Sequence, residues 1–184
     1  MYTYSQHQFL RPVRVAGVRL VPFTLGHADV LCGLDHPITR GAVPGVEELA
    51  VALFVCSRPW KKAARQIRGR SARRALRKMG RRFGRMGPEE VGAVFDAFED
   101  YVGVYSSTPP RWEEPGEGGG QIRAPWHLAV FCVLQEKTNF QPSETWDLPV
   151  ARAFELAAVI GANMGDDKLV SVAEMEIYSK MMAG

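Results

Sequence analysis

The sequence predicts a mostly α-helical protein, and three observations carry that expectation. Apolar residues recur at helical spacing from Thr24 onward, prolines or acids stand where the apolar runs begin, and strand-like alternation is confined to the start of the chain. With 184 residues, 46% of them apolar, the chain is long enough to bury a core.

In chain order, VRVAGVRLVPF at 13–23 predicts one or two short strands or an extended arm. Thr24 can cap a helix whose apolar positions Ala28, Leu31, Cys32 and Leu34 follow at helical spacing, with Pro37 as its stop. A second helix is expected from Val46 to Ser57, with Glu47 and Glu48 in the first turn, where the helix dipole favours negative charge. Pro59 opens a third, which carries a basic segment, and Pro88 opens a fourth over EEVGAVFDAFEDYVGVY. These four suit a helical bundle.

At 106–124 the composition changes to SSTPPRWEEPGEGGGQIRA, whose prolines and glycines oppose helix and predict an exposed, flexible linker. It divides an N-terminal helical region, 1–105, from a C-terminal one, 125–184. In the latter, Pro125 opens WHLAVFCVLQEK, and Asp147 with Pro149 opens VARAFELAAVIGANMG, to be ended by Gly161 or Gly165. Ser171 and Glu174 form a capping box before MEIYSKMM.

Cys32, Cys56 and Cys132 lie far apart in apolar surroundings, which predicts small buried hydrophobes in a reducing compartment rather than a disulfide framework. MYTYSQHQFLRPVRV has no signal-peptide core, and the run LAVALFVC at 49–56 falls short of the roughly 20 residues of a membrane helix. The expectation is a soluble protein of the cytoplasm.

LVPFTLGHADVLCGLDHP at 20–37 gathers His27, Cys32 and His36. His27 and Cys32 are separated by about 140° on a helix, and no second ligand pair stands elsewhere at zinc-site spacing. The stretch therefore reads as the way into and out of a helix. Ser57 and Cys56 lack any nucleophile signature, and the glycines at 116–120 lack the ending that cradles a phosphate. No enzyme, cofactor or resident metal is expected.

Charge is the most informative feature. Residues 61–86 hold 12 of the 23 bases and no acid, so the remainder has 11 bases against 20 acids, a net of −9. Advancing about 100° per residue from Ala72, Leu76, Met79, Phe83 and Met86 share a narrow stripe, while Arg70, Arg73, Arg74, Arg77, Lys78, Arg81 and Arg85 take the other side. The phase changes upstream, where Trp60, Ala63, Ala64 and Ile67 share a different face, so a break near Gly69 is expected. Gly80 and Gly84 weaken the helix by about 1 kcal/mol each.

Three readings compete for the basic face. A nucleic acid is one, through phosphate contacts alone, since no aromatic lies on that side for stacking. A membrane surface is another, opposed by the thin apolar wedge. The third is an acidic protein partner, or the chain's own Glu89, Glu90, Asp96, Glu99 and Asp100. Trp112, Trp126 and Trp146, at or near the linker, either pin loops to a core or offer an apolar patch.

TWDLPVARAFELAAVIGANMGDDKLVSVAEMEIY, at 145–178, resembles the end of small phage tail assembly chaperones, in which a Trp precedes a helix, a Gly-Asp turn and a last helix begun by Ser-x-x-Glu. PFTLGHADVL at 22–31 is similar to openings of proteins from phage tail modules. The resemblance implies a non-enzymatic helical factor, acting in the bacterial cytoplasm, that binds the tape measure protein while the tail tube assembles. It brings no catalytic residues. The basic helix is not part of that pattern, which leaves room for a connector role or for contact with DNA.

Flexible Met79 and Met86, with Phe83, Trp126 and Trp146, are then candidate client contacts, with ordinary core filling as the alternative. A homo-oligomer is compatible with all of this.

Overall fold

The computed structural model describes residues 13–106 and 125–164. It is mostly α-helical, as the spacing predicts, with a single two-stranded antiparallel sheet among the described residues. Strand β1 (Val13–Val15) and β2 (Val18–Leu20) pair Val13 with Leu20 and Val15 with Val18, so one face is apolar and the other carries Arg14 opposite Arg19. The two-residue turn, Ala16 at φ 47° and Gly17 at φ 70°, has both residues at positive φ, the conformation whose twist matches the right-handed twist of the paired strands.

Eight helices follow: α1 (Leu25–Cys32), α2 (Val46–Cys56), α3 (Trp60–Gln66), α4 (Arg70–Phe83), α5 (Pro88–Ser106), α6 (Trp126–Lys137), α7 (Pro142–Asp147) and α8 (Val150–Met164). Helix α1 ends at Cys32, short of the expected stop, because Gly33 caps it and the chain turns through Asp35 at φ 53° into a 3-10 turn at Pro37–Arg40. The expected break at Gly69 separates α3 from α4, and Gly69 is extended as the N-cap of α4. Helix α7 was not legible as a helix. It is six residues long, started by Pro142 and held by Glu144 accepting from the Gln141 N–H at 2.8 Å. Gly161 lies inside α8 rather than at its end. The predicted linker beyond Ser106 and the SVAE helix lie outside the described residues.

The helical stretches on either side of the linker share one core. Leu25, Leu31, Leu49, Leu53, Phe83 and Phe98 belong to the same buried cluster as Leu134, Val150 and Ala153. Backbone joins them as well: Thr24 bridges Pro149 in antiparallel fashion, the Leu25 N–H donates to Leu148 O at 3.0 Å, and the Val150 N–H donates to Phe23 O at 3.0 Å. Two helical regions divided in sequence thus fold against each other. Among the described residues no helix is long and apolar enough to cross a membrane.

Trp60 is one of the side-chain links across this seam. Its indole N–H donates to Asp147 Oδ1 at 2.5 Å, its ring meets Trp146 at a centroid distance of 6.3 Å, and it lies flat against Gly26. A Cβ on Gly26 would stand 2.4 Å from the indole carbons, a separation no packed atoms tolerate. Gly26→Ala is therefore expected to push Trp60 off its seat and to cost about 1–3 kcal/mol, read as a lower urea midpoint. An unchanged midpoint would mean that the indole is not held there.

The cysteines differ from one another. Cys56 is buried in the core, and burial pushes its thiol up to about 12, so it is unreactive. Cys32 is half-buried, whereas Cys132 is exposed, which corrects the expectation of three buried thiols. Helix α6 turns Cys132 and Val133 outward while Leu134 enters the core.

Candidate functional site

Helix α4 divides as its spacing predicts. Ala72 and Phe83 are buried, and Leu76, Met79 and Met86 are half-buried against the core, chiefly where α4 packs on α2. Arg70, Arg73, Arg74, Arg77, Lys78, Arg81 and Arg85 are all exposed. So are the other bases of the segment, Lys61, Lys62, Arg65, Arg68 and Arg82. Of these twelve, only Lys61 has a carboxylate within 4.0 Å among the described residues, Asp147 at 3.4 Å. The chain's own acids on α5 therefore form no ion pair with α4.

Such a face does not stabilise the helix. Arg70 and Arg73 crowd the positive end of the dipole with further positive charge. Bases three and four apart along α4 repel one another, with no acid interleaved. The helix survives because its apolar stripe is anchored. A surface that costs stability and neutralises nothing at home is a surface suited to a negatively charged partner.

The candidate client contacts are placed differently. Phe83 is 3% exposed and belongs to the core, and Met79 and Met86 pack against it. Trp126 stacks on Phe154 at 5.3 Å, and Trp146 stacks on Phe131 at 4.2 Å. Phe83 is thus buried and the other four are half-buried with neighbours inside the fold: the stripe of Met79, Phe83 and Met86 docks α4, and the two tryptophans stack on rings of α6 and α8.

Two cations outside the expected set belong to this surface. Arg82 lies on the shoulder between the stripe and the basic side, where its Nη1 donates to the Ala16 carbonyl at the hairpin tip. Arg58, just before Pro59, stacks its guanidinium 3.6 Å above the Phe54 ring. Nε and Nη2 both donate to Ser57 Oγ, at 3.2 and 3.0 Å, and Nη1 donates to Gln66 Oε1 at 2.9 Å. Burial without a carboxylate pulls this guanidinium below its usual value. The role of Arg82 is not visible in sequence, since it depends on a hairpin 66 residues away, whereas the partners of Arg58 all lie within eight residues of it.

His27 and His36 bond to the main chain through both ring nitrogens. His27 Nδ1 accepts from the Thr24 N–H at 3.2 Å, and Nε2 donates to the Arg58 carbonyl at 2.8 Å. His36 Nδ1 accepts from the Ile38 N–H at 3.3 Å, and Nε2 donates to the Glu48 carbonyl at 2.9 Å. Both rings thus have their two nitrogens committed to the main chain, as the reading of 20–37 as the ends of a helix expects.

Comparison with protein-family models, with curated proteins and with solved structures finds no match to this chain.

Proposed function

We propose that this protein is a non-enzymatic assembly factor that holds an acidic partner on the basic face of α4, and that the partner is the tape measure protein or another protein of a phage tail. The observation that carries the first part is the unneutralised charge: eleven exposed bases at 62–85, seven of them on α4, with no carboxylate within 4.0 Å among the described residues. The second part rests on the resemblance of 145–178 and 22–31 to tail assembly chaperones. The shared core around α1, α7 and α8 supports it in one respect, because those two segments meet at the Thr24–Pro149 bridge.

Contact with DNA is a second reading, favoured by the single sign of charge along α4. Salt separates the two. Release of counterions from phosphates makes nucleic-acid binding fall steeply with ionic strength, whereas an interface that also buries apolar surface holds better.

The test is co-purification of the tagged protein from cells expressing the adjoining reading frames, with nuclease, at low and high salt. Retention of a long helical protein at high salt supports the assembly reading. Recovery of nucleic acid alone, lost at high salt, supports the second.

Arg73→Glu, Arg77→Glu and Arg81→Glu together are expected to weaken either kind of binding by about tenfold or more, while stability stays within about 1 kcal/mol. Circular dichroism and the same pull-down read the two effects. Unfolding of this variant would show that the face is internal to the structure and would end the proposal.

A further inference from the structure

One shoulder of α4 borders a cavity of about 330 Å³, closed on its other sides by the hairpin and by the C-terminal end of α2. Arg58, Lys78 and Arg82 line it, and no acid does. Its walls between these cations are apolar, Val18, Leu53 and Met79 among them.

Two of the three cations are held in place. Stacking on Phe54 and the bonds to Ser57 and Gln66 use three of the five N–H groups of Arg58, which leaves two without a protein acceptor among the described residues. Ser57 Oγ is itself spent, donating to the Phe54 carbonyl at 2.8 Å. Arg82 is fixed by the hairpin tip, and its guanidinium lies so close to Gly17 that a Cβ there would stand 3.1 Å from Nη1. Glycine at 17 thus serves the turn, with φ 70°, and the approach of Arg82 together. Lys78 makes no polar contact among the described residues.

A partly buried guanidinium with no counterion is costly, and two further cations around the same space raise that cost. An anion entering the cavity would relieve all three.

We propose that this cavity seats the carboxylate of a glutamate or aspartate side chain from the acidic partner, so that one residue of that partner is read individually while the outer face of α4 attracts it as a whole. This rests on the reading of α4 as a surface for an acidic protein. An arginine with free N–H groups pairs with a carboxylate or a phosphate alike. A carboxylate fits this cavity better because its aliphatic stem fits the apolar walls of Val18, Leu53 and Met79, which a phosphate cannot use.

The test uses the full chain with methionine methyls labelled with carbon-13. Met79 lines the cavity, and Met86, packed on the core, does not line it. The probe is an acetylated ten-residue peptide of alternating glutamate and alanine, with its glutamine counterpart, inorganic phosphate and a short DNA duplex as controls. The glutamate peptide is expected to shift the Met79 methyl saturably, and Lys78→Gln to weaken that binding about fivefold more than Arg73→Gln, which removes the same charge outside the cavity. Both side chains are exposed and free of partners among the described residues, so both variants are expected to fold, with the Met86 methyl unchanged as the check.

Equal losses from the two variants would overturn the seat and leave the basic face intact as a surface. Binding of the glutamine peptide as tightly as the glutamate one would also overturn it. A Met79 shift produced by DNA or phosphate and not by the peptide would reassign the cavity to phosphate. Failure of the native protein to bind the glutamate peptide even at low salt would remove the acidic-partner reading itself.

Discussion

Phe83→Ala is expected to destabilise the protein by about 3–5 kcal/mol, because it empties a buried aromatic site at the point where α4 is anchored. Ala72, Leu76 and Met79 share the docking of α4 on α2, but the helix has little support in its own sequence. Gly80 lowers its intrinsic propensity, while Gly84, expected to weaken it, stands outside as its C-cap; Arg70 opposes its dipole, and its bases repel along their length. Phe83 is therefore one of the residues through which the core compensates the cost of the charged face. Urea unfolding of the variant measures this directly.

The comparison with charge reversal at Arg73, Arg77 and Arg81 is what gives the result meaning. The apolar change is expected to lose fold and binding together, and the charge reversal to lose binding alone. A loss below about 1 kcal/mol for Phe83→Ala would show that α4 is not docked by this side chain, and the aromatic would then be free for a client.

How far the sequence foretold this arrangement can be judged residue by residue. The stripe Ala72, Leu76, Met79, Phe83 and Met86 was legible because helical periodicity is a local signal. What the stripe is for was not. An apolar face reads identically whether it meets its own core or a client, and only the packing of α4 on α2 decides it. The same holds for Trp126 and Trp146, which stand beside a linker in sequence but stack on Phe154 and Phe131 in space.

The seam between the regions before and after the linker was invisible for a different reason. Part of it consists of main-chain hydrogen bonds at Phe23, Leu25, Leu148 and Val150, which carry no side-chain signature at all. Prolines 59, 88 and 125 did mark the helix starts, since their effect is fixed within one or two residues. Helix α7 escaped because six residues are too few to show a period. For the candidate site, charge was legible from composition alone. Arg82 was missed because the hairpin tip confers its role from a distance, and Arg58, whose partners Phe54, Ser57 and Gln66 are near in sequence, was missed because their geometry and not a periodic pattern brings them together.

Acid is expected to unfold the protein through two of its histidines. Burial lowers the affinity of His27 for a proton, opposed more weakly by its bond to the Arg58 carbonyl and by the charge of Asp147. Burial likewise lowers His127, opposed by Asp29, whose Oδ1 lies 3.3 Å from Nε2. Geometry agrees with both directions. A proton on His27 Nδ1 would break the bond from the Thr24 N–H that now donates to it and would have only the Thr24 Oγ1, at 2.9 Å, to accept it, and a proton on the buried His127 Nδ1 would find no acceptor within bonding distance.

The sign follows from the unfolded chain, in which both rings titrate near their ordinary value of about 6.5. Below that pH the unfolded state binds protons that the folded state refuses, so stability falls as pH falls and is level above it. Each group contributes at most about 1.4 kcal/mol per pH unit, about 2.7 for the pair. The urea midpoint is expected to drop between pH 7.5 and 5.5, a window in which carboxylates of ordinary affinity remain ionised. His127→Leu separates the contributions, since it removes a buried ring with one unpartnered nitrogen and leaves Asp29 half exposed to water. It is expected to reduce the slope by about half. A midpoint unchanged across that window would mean that both rings take up protons within the fold, and that His27 does not hold the Thr24 cap in the neutral form.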